Sequence, residues 1–151
     1  MHYNRIIFFI LTTEESVKGV EKDMREYNLN EETRKLLSGL GTPQEFDPGD
    51  VIYLQDEPSP GLVYLEQGKI RNCVFSADGT EKSLCILEAP SITGETAVID
   101  GDTTICSAIA FTKVKVVFIP REAARELLLS DPDLMMLILE YMAKKIRSMQ
   151  I

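Results

Sequence analysis

The sequence predicts a mainly β fold with flanking helices, because short apolar stretches alternate with turn residues through its centre. Turn signals stand at Pro48-Gly49-Asp50, around Gly68 and at Asp78-Gly79. The apolar stretches between them cover residues 51–54, 62–65, 70–75 and 83–87. Strand-like runs at a spacing of about 8–12 residues are typical of an all-β roll or sandwich. Two further strands are expected at residues 105–111 and 114–119.

A short helix is expected before the β region and two helices after it. Asn30 is a candidate N-cap, acidic residues follow it, and Gly41 ends the segment. After the strands, the apolar period changes from about 2 to about 3.6 residues, which predicts a short helix at residues 121–129. Residues 130–133 then supply an N-cap and an early proline. Because neither glycine nor proline follows, one long helix is expected from residue 134 to residue 151.

The last helix carries apolar residues at alternating spacings of four and three. This heptad seam consists of Met135, Leu139, Met142, Ile146 and Met149. A second stripe, formed by Leu134, Ile138 and Tyr141, covers another face. Such a seam is typical of a helix that packs on a partner helix, as in a homodimer. The pattern alone fits equally well a helix that lies wholly on its own domain, since two heptads are short for a coiled coil.

Composition limits the classes of function. A chain of 151 residues that is 44% hydrophobic can bury one sizeable core, so a single domain is expected. The net charge of -8 argues against a nucleic-acid-binding surface on this chain. The early apolar stretch, residues 6–11, is far shorter than the roughly 20 residues of a membrane helix and lacks a signal-peptide cleavage site. The sequence therefore predicts a cytoplasmic protein that does not contact a membrane.

The residues that carry most enzymatic and metal chemistry are scarce. His2 is the one histidine, and the three cysteines show no C-x-x-C spacing, so neither a metal site nor an enzyme is expected. A disulfide between Cys73 and Cys85 is disfavoured, because neither simple register of the intervening hairpin sets them directly opposite. Buried free thiols are expected at these two positions and at Cys106.

The order of elements resembles the N-terminal effector domain, which is cyclic-nucleotide-binding-like, of the CRP/FNR family of bacterial transcription regulators. Residues 46–52 are similar to the family's opening strand, and residues 142–146 to its Met-Ala-Arg-Arg-Leu stretch in the dimer helix. The resemblance covers roughly residues 46–151. It implies a double-stranded β-helix, or jelly-roll, β-roll followed by a long C-terminal dimerisation helix, and it favours the homodimer.

The resemblance also implies a ligand site. Gly94, Glu95, Thr96 and Ala97 are similar to the family's phosphate-binding cassette, and Thr104 and Ile105 stand where its later ligand residues occur. In the family, backbone N–H groups of this segment hold a cyclic phosphate and the glutamate binds the ribose 2′-hydroxyl. A plain structural role of Glu95 as the cap of a turn is the alternative.

This sequence departs from the family where the phosphate would need its counter-ion. The family places an arginine about a dozen residues after the cassette, as a bidentate partner of the buried phosphate. Residues 103–106 hold no basic residue here, and none occurs between Lys82 and Lys113. Cyclic AMP is therefore a possible but disfavoured effector, and a less charged small molecule is expected.

The expected organisation has three parts. Residues 1–30 form a lead-in segment, residues 31–130 the sensor domain, and residues 131–151 the start of the dimerisation helix. The resemblance implies the ligand-sensing regulatory domain of a transcription factor, which signals to a winged helix-turn-helix DNA-binding domain that this chain does not contain. The alternative is a stand-alone module of the same fold that regulates a partner protein by contact.

Overall fold

The structure is a computed structural model that describes residues 28–148. The expectations for residues 1–27 and for Met149 lie outside the described residues. The helices are α1 (Glu31–Gly39), α2 (Glu95–Asp100), α3 (Arg121–Ser130) and α4 (Pro132–Ser148). The strands are β1 (Thr42–Phe46), β2 (Val51–Tyr53), β3 (Leu62–Gln67), β4 (Lys69–Phe75), β5 (Glu81–Glu88), β6 (Ser91–Thr93), β7 (Ser107–Ala110) and β8 (Val114–Ile119).

The strands form two four-stranded antiparallel sheets. One has the order β1–β8–β3–β6 and the other β2–β7–β4–β5. Side chains alternate between the two faces of each strand. In β3, Val63 and Leu65 therefore point into a core between the sheets, while Leu62 and Tyr64 point to the opposite face. The prediction of a mainly β fold with flanking helices is confirmed.

The helices cover the outer face of the first sheet. Leu37 of α1, Val98 of α2, Leu127 of α3 and Ile138 of α4 share one buried cluster with the outward-facing side chains of β3, β6 and β8. Burial of this continuous apolar layer is what fixes the helices, and with them α2, against the β-roll.

Capping groups begin the helices where the sequence indicates. The Asn30 side chain accepts a hydrogen bond of 2.8 Å from the Thr33 backbone N–H at the start of α1. At the start of α4, Asp131 accepts one of 3.1 Å from the Leu134 backbone N–H. The Thr33 hydroxyl also donates to the Asp131 carboxylate, which joins the two caps at 3.3 Å.

Three local features differ from the sequence expectations. The segment of β1 was not expected to be a strand, because its residues are mostly polar and exposed. The strand predicted at residues 105–111 begins two residues later, at Ser107. A bulge in the hairpin of β4 and β5 pairs Cys73 with Ser83 but Asn72 with Cys85.

The bulge determines the environment of the cysteines. Cys73 lies with Ile109 on one face of the second sheet, whereas Cys85 lies in the core between the sheets. Both are buried free thiols, as is Cys106. The prediction of three buried free thiols is confirmed, although neither simple hairpin register describes the whole pairing.

Candidate effector-binding site

A pocket opens beside the start of α2. Residues 93–97 and 104–106 contribute to its lining, together with Tyr53 of β2 and Asn72 of β4. It holds about 310 Å³ of empty space, the part open to solvent included.

Gly94 sets the entry of the chain into α2. It adopts a left-handed conformation with φ +83°, which glycine reaches without steric penalty. A Cβ at this position would stand 2.9 Å from the backbone oxygen of Gly61. The missing side chain thus allows two backbone segments to approach closely at the edge of the pocket. Glu95, the next residue, is buried, with 5% of its surface exposed.

Two arginines of α3 hold the far end of α2. The Arg121 guanidinium donates a hydrogen bond of 3.0 Å to the backbone oxygen of Val98. Arg125 donates to the same oxygen at 3.3 Å and to that of Ile99 at 2.7 Å. These bonds satisfy carbonyl groups that the end of a helix leaves unpaired, and positive charge is favourable there. They fix α2, and therefore the segment that lines the pocket.

A buried polar chain runs from the pocket to α4, and we call it the polar chain. The Tyr53 hydroxyl and Thr93 Oγ1 share a hydrogen bond of 2.6 Å. Asn72 Nδ2 donates to Thr93 Oγ1 at 3.3 Å and to Cys85 Sγ at 3.7 Å. Cys85 Sγ in turn contacts the Tyr141 hydroxyl of α4 at 3.6 Å. Three of the five members of the chain line the pocket, and the last belongs to the long helix.

Both tyrosines of the polar chain stay protonated at neutral pH. Burial raises the pKa of Tyr53 well above its ordinary value, and the acidic groups of Cys106 and Glu95 add to this effect, whereas the bond to Thr93 opposes it. Burial also raises the pKa of Tyr141, with further contributions from Cys85 and Glu95. Each phenol therefore keeps its proton for hydrogen bonding.

The described pocket lining has one carboxyl group and no basic side chain. Among the described residues of the lining, Glu95 carries that carboxyl group, and no lysine, arginine or histidine belongs to it. Within residues 28–148, no three histidine, cysteine, aspartate or glutamate side chains come together in a way that could hold a metal ion. What this arrangement offers a ligand is hydrogen bonding beside one carboxyl group.

Comparison with known proteins identifies the domain. The profile of the cyclic nucleotide-binding domain matches residues 43–131, more than half of the chain. The chain belongs to the cyclic nucleotide-binding domain family. The matched residues include all eight strands except the first residue of β1, and also α2 and α3.

Curated relatives of this cyclic nucleotide-binding domain are transcription regulators. A CRP-like cAMP-activated global transcriptional regulator of Mycobacterium tuberculosis is 27% identical over 105 residues, which cover 70% of this chain and 47% of the relative. A global nitrogen regulator of Synechocystis is 26% identical over 117 residues, which cover 75% and 52%. The chain therefore spans about half the length of the curated relatives it matches.

A solved structure shows the same fold. The catabolite activator protein of Thermus thermophilus has a TM-score of 0.70 at 21% identity, over 81% of this chain and 57% of that one. The jelly-roll arrangement followed by C-terminal helices is thus confirmed, as is the resemblance to a CRP/FNR-type effector domain. No helix within residues 28–148 has the length and apolar character that crossing a membrane requires.

All six residues predicted to bind the ligand of this domain line the same pocket. They are Gly94, Glu95, Thr96, Ala97, Thr104 and Ile105. Their environments differ. Thr104 donates its hydroxyl hydrogen to the backbone oxygen of Leu54 and also lies 3.2 Å from that of Glu57, so it holds the neighbouring loop. Ile105 is 52% exposed, which places it at the rim.

Four lining residues were not predicted from the sequence. They are Tyr53, Asn72, Thr93 and Cys106. Asn72 carried a usable signal, since an amide buried within a strand is expensive unless it is hydrogen-bonded. The other three give no signal of their own, because tyrosine, threonine and cysteine are ordinary strand residues.

The heptad seam of the domain lies partly open on the single chain. Leu139 and Ile146 are 49% and 70% exposed, while Met135 and Met142 are half-buried against the domain. The second stripe is buried: Leu134, Ile138 and Tyr141 all belong to the cluster under the helices. The second stripe is thus buried in the domain, whereas the described seam residues are partly packed against the same cluster and partly exposed.

Proposed function

We propose that this domain senses a small molecule and regulates a CRP/FNR-type transcription factor. The effector occupies the pocket beside α2, which the polar chain joins to α4, and its binding alters the dimer geometry of that helix. DNA contact belongs to a downstream domain outside this chain, in keeping with relatives of about twice its matched length. Such a regulator would act in the cytoplasm, where the DNA lies.

The polar chain is the observation that carries the proposal. A ligand at Asn72 or Thr93 competes for hydrogen bonds that reach Tyr141 through Cys85. Hydrogen bonds in a buried network polarise and orient one another, so a change at one end alters the preferred geometry at the other. An effector needs different affinities for two arrangements of α4, and the polar chain provides a physical reason for that difference.

The dimer follows from the surface of α4. Leu139 and Ile146 expose apolar surface on the same face, one heptad apart. A second copy of the helix would bury this seam, and each subunit would then bring its pocket close to the shared interface. Sensor and dimer are therefore coupled through one helix.

A double-mutant cycle tests the polar chain. Thr93→Val removes the shared hydroxyl at nearly constant volume, and Tyr141→Phe removes the phenolic oxygen. Each single variant should lower the free energy of unfolding by about 1 kcal/mol. Because both belong to one network, the double variant should deviate from additivity by about 0.5 kcal/mol or more, measured by urea unfolding.

Ser107→Ala provides the matched control. Ser107 is also buried, but its hydroxyl accepts a hydrogen bond from the Gln55 backbone N–H and takes no part in the polar chain. Its combination with Tyr141→Phe should be additive within about 0.3 kcal/mol. Additive behaviour of Thr93→Val with Tyr141→Phe, or equal coupling in the control pair, would contradict communication along the chain.

A further inference from the structure

One hydrogen-bond acceptor of the pocket lining, the Asn72 side-chain oxygen, lacks a partner among the described residues. Asn72 is 3% exposed, and its Oδ1 is buried with no hydrogen-bond partner in the described part of the chain. Its Nδ2 is already directed to Thr93 and Cys85. A buried acceptor that lacks a partner costs roughly 1–3 kcal/mol. A ligand that donates a hydrogen bond to this oxygen would remove that cost.

Two further polar groups of the lining agree with this preference for a donor ligand. The Glu95 carboxyl group lines the same pocket and is 5% exposed. The Thr104 hydrogen is used by the backbone of the neighbouring loop. No cation belongs to the described lining. A phosphate would therefore bring a negative charge and further acceptors to a site whose described lining supplies no cation.

We infer that the pocket takes an uncharged small molecule that presents hydroxyl or N–H donors, and that it rejects cyclic nucleotides because it lacks a cation. The inference rests on the proposed function, since it names the class of effector for the same site. Asn72 Oδ1 and the Glu95 carboxyl group are the acceptors that recognise the donors. Ile105 and Ala97 contribute apolar contact at the rim and beside α2.

The rim residue Ile105 allows a direct test. It lines the pocket and is 52% exposed, so a long side chain fits there without entering the core. Ile105→Arg should supply the missing cation and lower the Kd for cyclic AMP by about 10- to 100-fold, the effect of a charged hydrogen bond. Ile105→Gln is the matched control, since it is long and polar without charge, and it should not produce this gain in affinity for cyclic AMP.

Adenosine and cyclic AMP are the probes, because they share base and ribose but differ in the cyclic phosphate. Calorimetric titration of the wild-type domain should give a Kd for adenosine at least about tenfold below that for cyclic AMP. Ile105→Arg should lower the Kd for cyclic AMP and not the Kd for adenosine. The inference is overturned by wild-type protein that binds cyclic AMP as tightly as adenosine, by a wild type that does not bind adenosine, or by an arginine variant without gain.

Failure of this inference is distinguishable from failure of the proposed function. Tight cyclic AMP binding by the wild type would overturn the inference that the pocket prefers an uncharged ligand. It would leave the proposed sensor function of the domain intact. Absence of coupling between Thr93 and Tyr141 would contradict the route from the pocket to α4, whichever probe binds. The first result comes from titration and the second from unfolding, so each has its own readout.

Discussion

Asp78 lies at the tip of the hairpin of β4 and β5, where hydrogen bonds from neighbouring turn residues lower the pKa of its carboxyl group. Its carboxylate accepts hydrogen bonds from the Ser76 hydroxyl and, at 2.9 Å, from the Thr80 backbone N–H. These bonds favour the charged form and lower the pKa of Asp78 to about 2, the Ser76 bond contributing most. The turn residues thus act as one unit, although all are exposed.

The sign of the pH dependence follows from this shift. Because the folded pKa is below the unfolded value of about 3.9, Asp78 stabilises the hairpin above about pH 4, and this contribution is lost as the pH falls toward 2. Ser76→Ala should raise the pKa of Asp78 toward the unfolded value, as measured by a carboxyl NMR titration. Ser76→Thr keeps the hydroxyl and should preserve the low pKa. An unchanged pKa in the alanine variant would contradict the assignment.

At the same scale, the sequence predicted six residues of the pocket lining and missed four others. Gly94 and Glu95 could be named because a Gly-Glu pair follows strand signals and resembles a known cassette. Tyr53 and Thr93 could not, because 40 residues separate them and only the antiparallel sheets bring their oxygens together. A local sequence pattern does not predict contacts between residues that are far apart in the chain, because these contacts depend on how the strands pair and pack.

At the scale of elements, α2 depends on the unusual backbone at its start. Gly94 has φ +83° and a neighbouring carbonyl group in the direction of a side chain, whereas Gly79 has φ +84° and open space. An alanine would meet similar backbone strain at both positions, but only at Gly94 would its Cβ also contact a neighbouring backbone oxygen.

Gly94→Ala should destabilise the domain more than Gly79→Ala. Both variants place alanine in the left-handed region, at a cost of about 1–2 kcal/mol. At Gly94 the Cβ must also displace the Gly61 carbonyl group, which adds about 1–3 kcal/mol. Thermal and urea unfolding of the two variants measure the difference. Equal losses would mean that the approach of the two segments relaxes freely and does not fix α2.

The helices and strands that the sequence predicted are those with a clear spacing of apolar residues or an N-cap residue. Helix α3 follows apolar spacing, and α1 and α4 also follow N-caps. Strands β2, β3, β4, β5, β7 and β8 follow apolar runs between turns. β1 escaped prediction because it is an exposed strand of polar residues that pairs with β8 along its whole length. The bulge between Asn72 and Cys73 escaped because it depends on packing on both faces of the sheet.

At the scale of the whole molecule, α4 packs on the β-roll with one face and exposes apolar side chains on another. Its buried stripe completes the cluster over the first sheet, and its exposed seam remains for another surface. The same helix carries Tyr141, the last member of the polar chain. Under the proposed function, a change in the pocket would alter the position of α4 and with it the dimer, so the oligomeric state of the protein tests the proposal.

The wild-type domain should be a dimer at micromolar concentration, and Ile146→Glu should dissociate it. Ile146 is 70% exposed on the single chain, so the variant should keep its free energy of unfolding per folded subunit. In the dimer, however, a carboxylate in the apolar seam should weaken association by about a hundredfold, since burial of an unpaired charge costs several kcal/mol. Sedimentation velocity measures the change.

Two comparison variants separate dimerisation from folding. Lys144→Glu introduces the same acidic group on an exposed position of α4 that the heptad spacing places opposite the seam, and it should remain dimeric. Ile138→Ala empties a fully buried position of the other stripe and should lose about 2–5 kcal/mol of unfolding free energy. A monomeric wild type, or equal dissociation by Lys144→Glu, would assign the seam to the domain itself and leave α4 without a partner to signal through.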